Sequence, residues 1–574
     1  MKILLVGINS KFIHSNLAIY SLRAYAKEHQ EYIELVEYTI NQYQEYILQE
    51  IYKKRPDVVA FSCYIWNLDY VKDLMIELKK VLPNTEIWAG GPEVSYDASS
   101  FLKEMKVVKG VMIGEGEATF LEVVKHYVER KLPLEEVKGI TYLSPCGQVV
   151  TTSPREVLDM DTLPFVYEDL NEFQNRIIYY ETSRGCPFTC SYCLSSIKER
   201  VRFRSFSLVK EELQFFLDHR VKQVKFVDRT FNANHTHGMN IIQYIKDHDN
   251  GITNFHFEIA ADIISHEEIE LLKTLRPGLV QLEIGVQSTN LQTIKEIDRI
   301  MDLDILKQVV HGIQEGKNIH QHLDLIVGLP FEDYHSFIKS FNDVYQMEPN
   351  QLQLGFLKLL KGSKMHKKAE DYGIVYSHKT PYEVLYTNWI TYDDVLQLKA
   401  VEEMVEVYYN SGQFLTTIKD LVSAFDSPYT CFYQLAAYYE RHHLNGISHT
   451  RIRRYDILLS FIEEETNLDK EYFKELLLYD LYLRENVKSR PDWGADLQDD
   501  KDVFKAFYQE EERNRKYLVG YEVYNHRQLS KMTHIERFSY DVTGDKKPGT
   551  YFVLFDYKNR DPLTYDATTH VIQV

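Results

Sequence analysis

Short apolar runs alternate with amphipathic stretches along the first quarter of the chain. Each run has the length of a strand and ends in a polar or glycine-containing loop, and the stretch that follows has helical spacing. The runs are KILLVGI, YIELVEY, DVVAFSCYIW, TEIWAGG and VVKGVMIG. Five strands that alternate with helices predict an α/β fold, with a doubly wound parallel sheet over residues 1–135.

The loops that follow these strands are the predicted binding region of this sheet. In a doubly wound fold, ligands bind beyond the carboxyl ends of the parallel strands. The loops at those ends are NSKFIHS, SCYIWN, GGPEVS and GEGE. We therefore expect a ligand of the N-terminal domain to contact them.

A second alternating region follows a connector. Residues 136–178 combine a short hairpin around SPCGQ with a proline-punctuated stretch. Over residues 179–375, strand-like runs that end in polar loops recur with helices between them, which predicts a partial (β/α) barrel with its chemistry at the strand carboxyl ends. Residues 376–574 are predicted to be mainly helical with a β-rich end, and no motif gives them a role.

Composition and charge indicate which partners and which cellular location to expect. The chain has 574 residues and a net charge of -19, which disfavours indiscriminate binding to nucleic acid or to an anionic membrane. No run of about 18 apolar residues predicts a membrane span. The start, MKILLVG, runs into a strand and has no signal-peptide pattern. We therefore expect a cytoplasmic protein.

Three of the six cysteines crowd into one short loop, Cys186-Pro-Phe-Thr-Cys190-Ser-Tyr-Cys193. Three thiolates on a tight loop can hold three irons of a cubane cluster, which leaves the fourth iron open to a small molecule. The alternatives are chance or zinc. A zinc site usually shows a fourth Cys or His at an interpretable spacing, and none is obvious nearby.

This loop, with an aromatic residue before the last cysteine, resembles the signature of the radical S-adenosylmethionine (SAM) superfamily. The resemblance implies a [4Fe–4S] cluster on Cys186, Cys190 and Cys193, with SAM on the fourth iron. Reduction of the cluster, by a donor such as flavodoxin or ferredoxin, would cleave SAM to methionine and a 5′-deoxyadenosyl radical. That radical would abstract hydrogen from an unactivated carbon. The protein would bind and orient the cofactor and the substrate and shield them from side reactions.

Polar residues of the predicted barrel extend the resemblance. Oxygen-independent coproporphyrinogen dehydrogenases and related members carry a strand glutamate, a GVQ strand end, a later arginine and a D-L-I-x-G-L-P strand. The resemblance implies that SAM is held by Tyr192, Glu258, Gln287, Arg299 and Asp324. The Arg299 guanidinium could pair with the methionyl carboxylate as a fork. The superfamily's glycine-glycine-glutamate strand end is missing, and Asp228 in KFVDRTFN is expected to replace it.

The N-terminal turns resemble the cobalamin-binding domain of the B12-dependent radical SAM family. Glycines there would let the backbone approach the corrin ring. The resemblance implies cobalamin contacts at Asn9, Ser10, Ser62, Gly90, Gly91, Pro92, Gly114, Glu115 and Gly116. The D-x-H-x-x-G motif that supplies a histidine lower ligand is absent, so we expect His14 to be a hydrogen-bonding residue of its loop.

The combined resemblance implies a cobalamin-dependent radical SAM enzyme that modifies an unactivated carbon of a small molecule. Methyl transfer is the leading reaction, with ring formation and rearrangement as family alternatives. Two other interpretations stay open: a cobalamin-free radical SAM enzyme that modifies RNA or a peptide, and a non-catalytic iron–sulfur redox module.

Two basic stretches bear on the RNA alternative. KERVRFRSFS contains Lys198, Arg200, Arg202 and Arg204 among aromatic residues, and RNRKYLVGYEVYNHRQLSK is similar. Basic and aromatic residues together suit stacking and phosphate contacts on nucleic acid. Because acidic residues are plentiful, we favour a solvated face whose arginines pair with them.

Overall fold

The computed structural model describes residues 1–195, 200–487 and 489–572. These residues divide into two compact units. The first contains Met1–Ile319, Ile326–Tyr334 and Gly355–Tyr392, and the second contains His320–Leu325, His335–Leu354 and Asp393–Val574.

Seven strands of the described residues form the sheet that opens the first unit. They are β1 (Ile3–Asn9), β2 (Ile33–Thr39), β3 (Val58–Ser62), β4 (Glu86–Gly90), β5 (Gly110–Met112), β6 (Ile140–Leu143) and β7 (Val149–Thr151). Their order is β2-β1-β3-β4-β5-β6-β7. The first five are parallel, as predicted, whereas β6 and β7 are antiparallel. The hairpin expected in the connector therefore extends this sheet.

Helices cover the sheet because its central strands are apolar throughout. They are α1 (Leu17–Tyr25), α2 (Gln44–Lys54), α3 (Leu68–Val81), α4 (Pro92–Ser95), α5 (Ala98–Glu104) and α6 (Glu117–Glu129). Every residue of β1 and β3 is buried, which requires cover on both faces. The strand order reverses between β1 and β3, and such a switch point opens a crevice at the carboxyl ends of the strands.

The repeated β/α pattern predicted next in the chain is confirmed. Its strands are β8 (Ile178–Tyr180), β9 (Ser183–Arg184), β10 (Arg202–Phe203), β11 (Gln223–Phe226), β12 (Asn254–Ile259), β13 (Val280–Gln287), β14 (His320–Val327) and β15 (Gln351–Phe356). Strands β8, β11, β12 and β13 are successive parallel neighbours. The short strands β9 and β10 pair antiparallel on either side of the cysteine loop.

Helices separate these strands, as a partial barrel requires. They are α7 (Phe206–Asp218), α8 (His235–Asp247), α9 (His266–Lys273), α10 (Leu291–Glu296), α11 (Leu303–Gln314) and α12 (Tyr334–Tyr345). Burial alternates along β13, where Val280, Leu282, Ile284 and Val286 are buried. The polar residues between them therefore share the opposite face of the strand, and Gln287 ends that row.

The last part of the first unit contains α13 (Lys364–Lys367), β16 (Val375–Tyr376) and β17 (Val384–Tyr386). The helical region that follows belongs to the second unit. Its helices are α14 (Tyr392–Val405), α15 (Leu415–Ser423), α16 (Pro428–Arg441), α17 (Arg451–Glu465), α18 (Lys470–Arg484), α19 (Lys501–Asn514) and α20 (His526–Met532).

The β-rich end predicted for the chain is an antiparallel sheet. Its strands in the described part are β18 (Thr533–Tyr540), β19 (Pro548–Asp556) and β20 (Thr568–Ile572). Over all described residues, no helix combines the length and the apolar character that a membrane crossing requires.

Candidate cofactor site

The cysteine loop follows β9 and is fixed at both ends. Cys190 is buried, whereas Cys186 and Cys193 are half-buried. The Cys186 Sγ lies 3.4 Å from the Thr230 Oγ1, and the Ser191 amide donates to the Ile297 carbonyl at 2.8 Å. No group of three or more His, Cys, Asp or Glu side chains in the described residues converges on one ion position. Thiolates that each bind a different iron of a cubane need not converge in this way.

Arg299 lies against this loop. Its Nη1 is 3.9 Å from the Cys190 Sγ and 3.5 Å from the Tyr192 hydroxyl, and its Nη2 donates to the Gly285 carbonyl. Burial raises the pKa of the Cys190 thiol, and the Arg299 guanidinium opposes that shift because it favours the thiolate. The loop therefore has a cation beside its central cysteine.

Gln287 joins this group in a strained conformation. Its φ is +72°, a left-handed value that non-glycine residues adopt at a cost of about 1 kcal/mol. A Cβ added at Gly285 would lie 2.3 Å from the Gln287 Nε2, so a larger residue there would displace the end of the Gln287 side chain. The structure thus brings together four residues that the sequence analysis selected: Cys190, Tyr192, Gln287 and Arg299.

Two buried polar atoms of this group have no hydrogen-bond partner among the described residues. They are the Arg299 Nε and the Ser191 Oγ. An unsatisfied buried group costs about 1–3 kcal/mol, so such atoms indicate a bound ligand. A guanidinium with a free donor fits the methionyl carboxylate of SAM. The residues present therefore fit SAM beside the loop.

The other predicted SAM residues have different surroundings. Asp228 is buried and accepts from the Thr182 amide at 2.9 Å and from the Thr182 and Ser183 hydroxyls at 2.7 and 2.5 Å. It thereby fixes the chain where β8 leads into the cysteine loop. Glu258 of β12 is in register with Glu283 of β13.

The last of them, Asp324, lies on β14 within the second unit. Its Oδ1 is 3.1 Å from the His322 Nε2. The SAM contacts of Asp228, Glu258 and Asp324 stay predictions.

A cavity of about 580 Å³ lies at the carboxyl ends of β3, β4 and β5. Its wall includes six residues predicted for cobalamin: Ser62, Gly90, Gly91, Pro92, Gly114 and Gly116. Gly91 has a φ of +111°, and a Cβ there would lie 2.4 Å from the Cys63 carbonyl oxygen. A Cβ at Gly114 would meet no atom within 4 Å and would instead point into open space, which glycine leaves free. These glycines fit a corrin that approaches the backbone.

The same cavity reaches the cysteine loop. Leu194, which directly follows Cys193, forms part of its wall. None of the described residues that line this cavity is a histidine.

A second cavity of about 830 Å³ shares Tyr64, Gly114 and Gly116 with the first. It contains the remaining predicted cobalamin residues, Asn9, Ser10 and Glu115, and also residues of the connector and of β8. The structure thus distributes the predicted cobalamin residues over two adjoining cavities.

Two residues of the first loop hold that loop in place. The Asn9 Nδ2 donates to the His14 carbonyl at 3.0 Å and to the Glu37 Oε1 at 2.8 Å. The His14 Nδ1 lies 2.6 Å from the Tyr179 hydroxyl. The expectation that His14 is a hydrogen-bonding loop residue is therefore confirmed.

A network of ion pairs joins the GEGE turn to the start of the cysteine loop. The Arg184 Nη2 lies 2.5 Å from the Glu117 Oε1, and its Nε donates to Glu181 at 2.9 Å. Arg202 pairs with Glu115. Burial raises the pKa of the Glu181 carboxyl to about 7, against the attraction of Arg184. The sequence analysis missed this network, although acids alternate with glycines in the turn and Arg184 comes just before the first cysteine.

The arginines of the first basic stretch are largely engaged inside the protein. Arg204 is buried and pairs with buried Glu212 at 2.6 Å, and Arg202 belongs to the network above. Arg200 is exposed, and Lys198 lies outside the described residues. The expected pairing with acids is confirmed for Arg202 and Arg204, but the expected solvated face is wrong for them, because Arg204 is buried and Arg202 is half-buried.

Three family models match successive parts of the chain. The B12 binding domain matches residues 3–124, and the Radical SAM superfamily matches residues 180–344. A protein of unknown function (DUF4080) matches residues 370–555.

Known cobalamin-dependent radical SAM enzymes are similar to this chain in sequence or in fold. The cobalamin-dependent radical SAM methyltransferase TokK of Streptomyces tokunonensis is 24% identical over 77% of this chain and 68% of its own length. The structure of the cobalamin-dependent SAM radical enzyme OxsB, with aqua-cobalamin and SAM bound, gives a TM-score of 0.58 at 16% identity and covers 83% of this chain and 78% of that one. The structure of the radical SAM methyltransferase TsrM of Kitasatospora setae, with cobalamin and a [4Fe-4S] cluster bound, gives a TM-score of 0.55 at 14% identity. It covers 66% of this chain and 81% of that one.

The two matched domains are those that bind cobalamin and that use a [4Fe–4S] cluster with SAM, and their order and fold here are those of the structural neighbours. The chain therefore contains a B12 binding domain followed by a domain of the Radical SAM superfamily.

Proposed function

We propose that this protein transfers a methyl group, by way of cobalamin, to an unactivated carbon of a small molecule. The observation that carries the proposal is the wall of the 580 Å³ cavity, where Leu194 lies beside the glycines at the ends of β4 and β5. Because Leu194 follows Cys193, the cavity that fits a corrinoid adjoins the loop that fits the cluster. The resemblance to TokK over three quarters of the chain supports methyl transfer in particular.

The proposed roles follow from the contacts. Cys186, Cys190 and Cys193 would hold the cluster, and Arg299 would bind the methionyl carboxylate through its unsatisfied Nε. When bound, the cluster with SAM supplies a hydrogen-abstracting radical, and cobalamin supplies a methyl carrier. Asp228 keeps the cysteine loop in place, since its carboxylate is fully engaged with the two residues before that loop.

The 830 Å³ cavity is the proposed substrate site. It adjoins the corrinoid-type cavity and includes Gly185 and Ser195, which flank the cysteines. The rings of Tyr64 and Trp66 stack at 4.4 Å in its wall. A volume of this size accepts an ordinary small molecule. The proposal includes a flavodoxin or ferredoxin as electron donor and a cytoplasmic location, where thiols stay reduced.

The test follows a labelled methyl group. Cells that express the protein receive hydroxocobalamin and methionine with a trideuterated methyl group, and their metabolites are compared by mass spectrometry with those of a Cys190→Ala strain. The matched control is Cys146→Ala, because Cys146 is an exposed thiol outside the loop. We expect a metabolite with a trideuterated methyl group in the wild-type and Cys146→Ala cells and not in the Cys190→Ala cells.

Two results would contradict methyl transfer. A product that depends on Cys190 but lacks the label would indicate ring formation or rearrangement. Absence of 5′-deoxyadenosine from purified wild-type protein with a full cluster, SAM and a strong reductant would indicate a non-catalytic redox module.

A further inference from the structure

A cavity of about 640 Å³ opens in the second unit, between α19, α20 and β18. It lies in the region that matches the family of unknown function and contains none of the residues discussed for the cofactors. Four of its lining residues are Arg or Lys, and one is acidic: Arg490, Lys501, Lys505, Arg527 and Asp496. In a chain of net charge -19, this concentration of cations is unusual.

The cations of this cavity are only partly neutralised. Lys505 and Arg527 make no side-chain hydrogen bond or ion pair within the part of the chain that the structure describes, and Lys501 donates to the neutral amide of Gln498 at 2.6 Å. Arg490 pairs with Glu536 through both Nη atoms at 2.5 Å. Its Nε is buried and has no partner among the described residues. The cavity thus holds donors that no described acceptor satisfies.

The wall of this cavity also includes apolar and aromatic residues. Phe504 and Tyr508 of α19 and Ile535 of β18 contribute to it. The Tyr508 hydroxyl is bonded to the Thr533 hydroxyl at 2.9 Å, and Tyr508 and Ile535 are buried, so half-buried Phe504 is the aromatic side chain more open to a ligand. Such a wall accepts a flat or apolar group beside a charged one.

We propose that this cavity binds a small organic phosphate. Several cations suit a phosphate, with its two charges and three acceptor oxygens, better than a single carboxylate. A volume of 640 Å³ exceeds the needs of a free phosphate ion, and the aromatic wall would hold the organic part. The cations lie around one cavity of limited volume, which favours a small ligand over an extended RNA strand. This proposal does not depend on the reaction at the cofactors.

The test measures equilibrium binding to the full-length protein by isothermal titration calorimetry, at constant ionic strength set with chloride. The probes are phenyl phosphate, inorganic phosphate and benzoate. The variant Lys505→Ala/Arg527→Ala removes two cations of the cavity. The matched control Arg513→Ala/Lys516→Ala removes two cations of the same region that do not line it. All four positions are exposed or half-buried, so circular dichroism should show that both variants fold.

We expect saturable binding of phenyl phosphate, weaker binding of inorganic phosphate and of benzoate, and a loss of at least about tenfold in affinity in the cavity variant only. Equal losses of affinity in both variants would show that the overall charge, and not the cavity, determines binding, and would overturn the proposal. The absence of saturable phenyl phosphate binding to the wild type would also overturn it. A single-stranded RNA oligonucleotide that binds through Lys505 and Arg527 when phenyl phosphate does not would assign the surface to nucleic acid instead.

Discussion

Replacement of Arg184 by glutamine tests the ion-pair network between the GEGE turn and the cysteine loop. In the wild type, the Arg184 guanidinium contacts Glu117 at 2.5 Å and Glu181 at 2.9 Å, and Glu115 at 3.4 Å. The side chains of Arg184 and Glu117 are only 15% and 6% exposed. The variant therefore leaves carboxylates close together in a poorly solvated place, where Arg202 still pairs with Glu115.

The expected cost follows from the burial of the pair. Removal of one partner from a buried ion pair costs about 3–5 kcal/mol, and the lower end applies because Arg184 keeps some exposure. About 3 kcal/mol corresponds to about a 100-fold shift in the equilibrium that holds β9 against the turn. We expect hydrogen exchange of the amides over residues 113–118 and 183–188 to accelerate by about that factor.

The pH dependence gives a second test of the same network. Burial raises the pKa of Glu181 to about 7 in the folded protein, above the value of about 4.3 in an unfolded chain. The cost of its buried charge is therefore absent at low pH and complete above pH 7. Without Arg184 this pKa should rise further. The effect of Arg184→Gln should thus be larger at pH 8 than at pH 6, where a proton on Glu181 takes the place of the guanidinium.

Two further variants complete the assay. Arg200→Gln removes an exposed arginine nearby and should leave the exchange rates unchanged. Adding Glu181→Gln to Arg184→Gln should recover part of the lost protection, because one uncompensated carboxylate disappears. Exchange rates in Arg184→Gln that match the wild type at pH 8, or a loss that is the same at both pH values, would refute this account of the network.

Three other predictions concern single positions. Gly91→Ala should lower the cobalt content of the protein at least tenfold after growth with hydroxocobalamin and leave its iron content unchanged, because a Cβ has no room there. The control is Gly147→Ala, at a glycine with a φ of +79° and no close neighbour, which should change neither metal content. Asp480→Asn should remove a pH dependence of urea unfolding. Burial raises the pKa of Asp480 to about 6, so the free energy of unfolding of the wild type, relative to that of the variant, should be about 2 kcal/mol higher at pH 4 than at pH 7. Arg204→Met should cost about 3 kcal/mol in urea unfolding, and Arg204→Met with Glu212→Leu should recover most of it.

The sequence predicts well what depends on local pattern. The five runs of the N-terminal domain are the five parallel strands of its sheet, and the signal is strongest for β1 and β3, which are buried along their whole length. The cysteine loop comes directly after β8 and β9, at the start of the alternating region predicted for residues 179–375. Gln287 and Arg299, chosen from separate motifs, lie together because β13 ends at the loop.

What the sequence did not predict depends on distant partners. The hairpin of β6 and β7 continues the N-terminal sheet because β6 pairs with β5, and no local pattern indicates that pairing. Arg184 and Glu117 are 67 residues apart, and either residue alone resembles an ordinary surface charge. The phosphate cavity combines α19, α20 and β18, whose cations are scattered among acids in the sequence.

The most direct test of the central claim is the metal content of the protein after anaerobic purification from cells supplied with hydroxocobalamin. Iron, sulfide and cobalt are measured per chain, together with the visible spectrum. We predict about four iron and about one corrinoid in the wild type, and a corrinoid without the cluster in Cys190→Ala. About four iron with no corrinoid would contradict the account, because the glycine-walled cavity would then belong to a radical SAM enzyme that works without cobalamin.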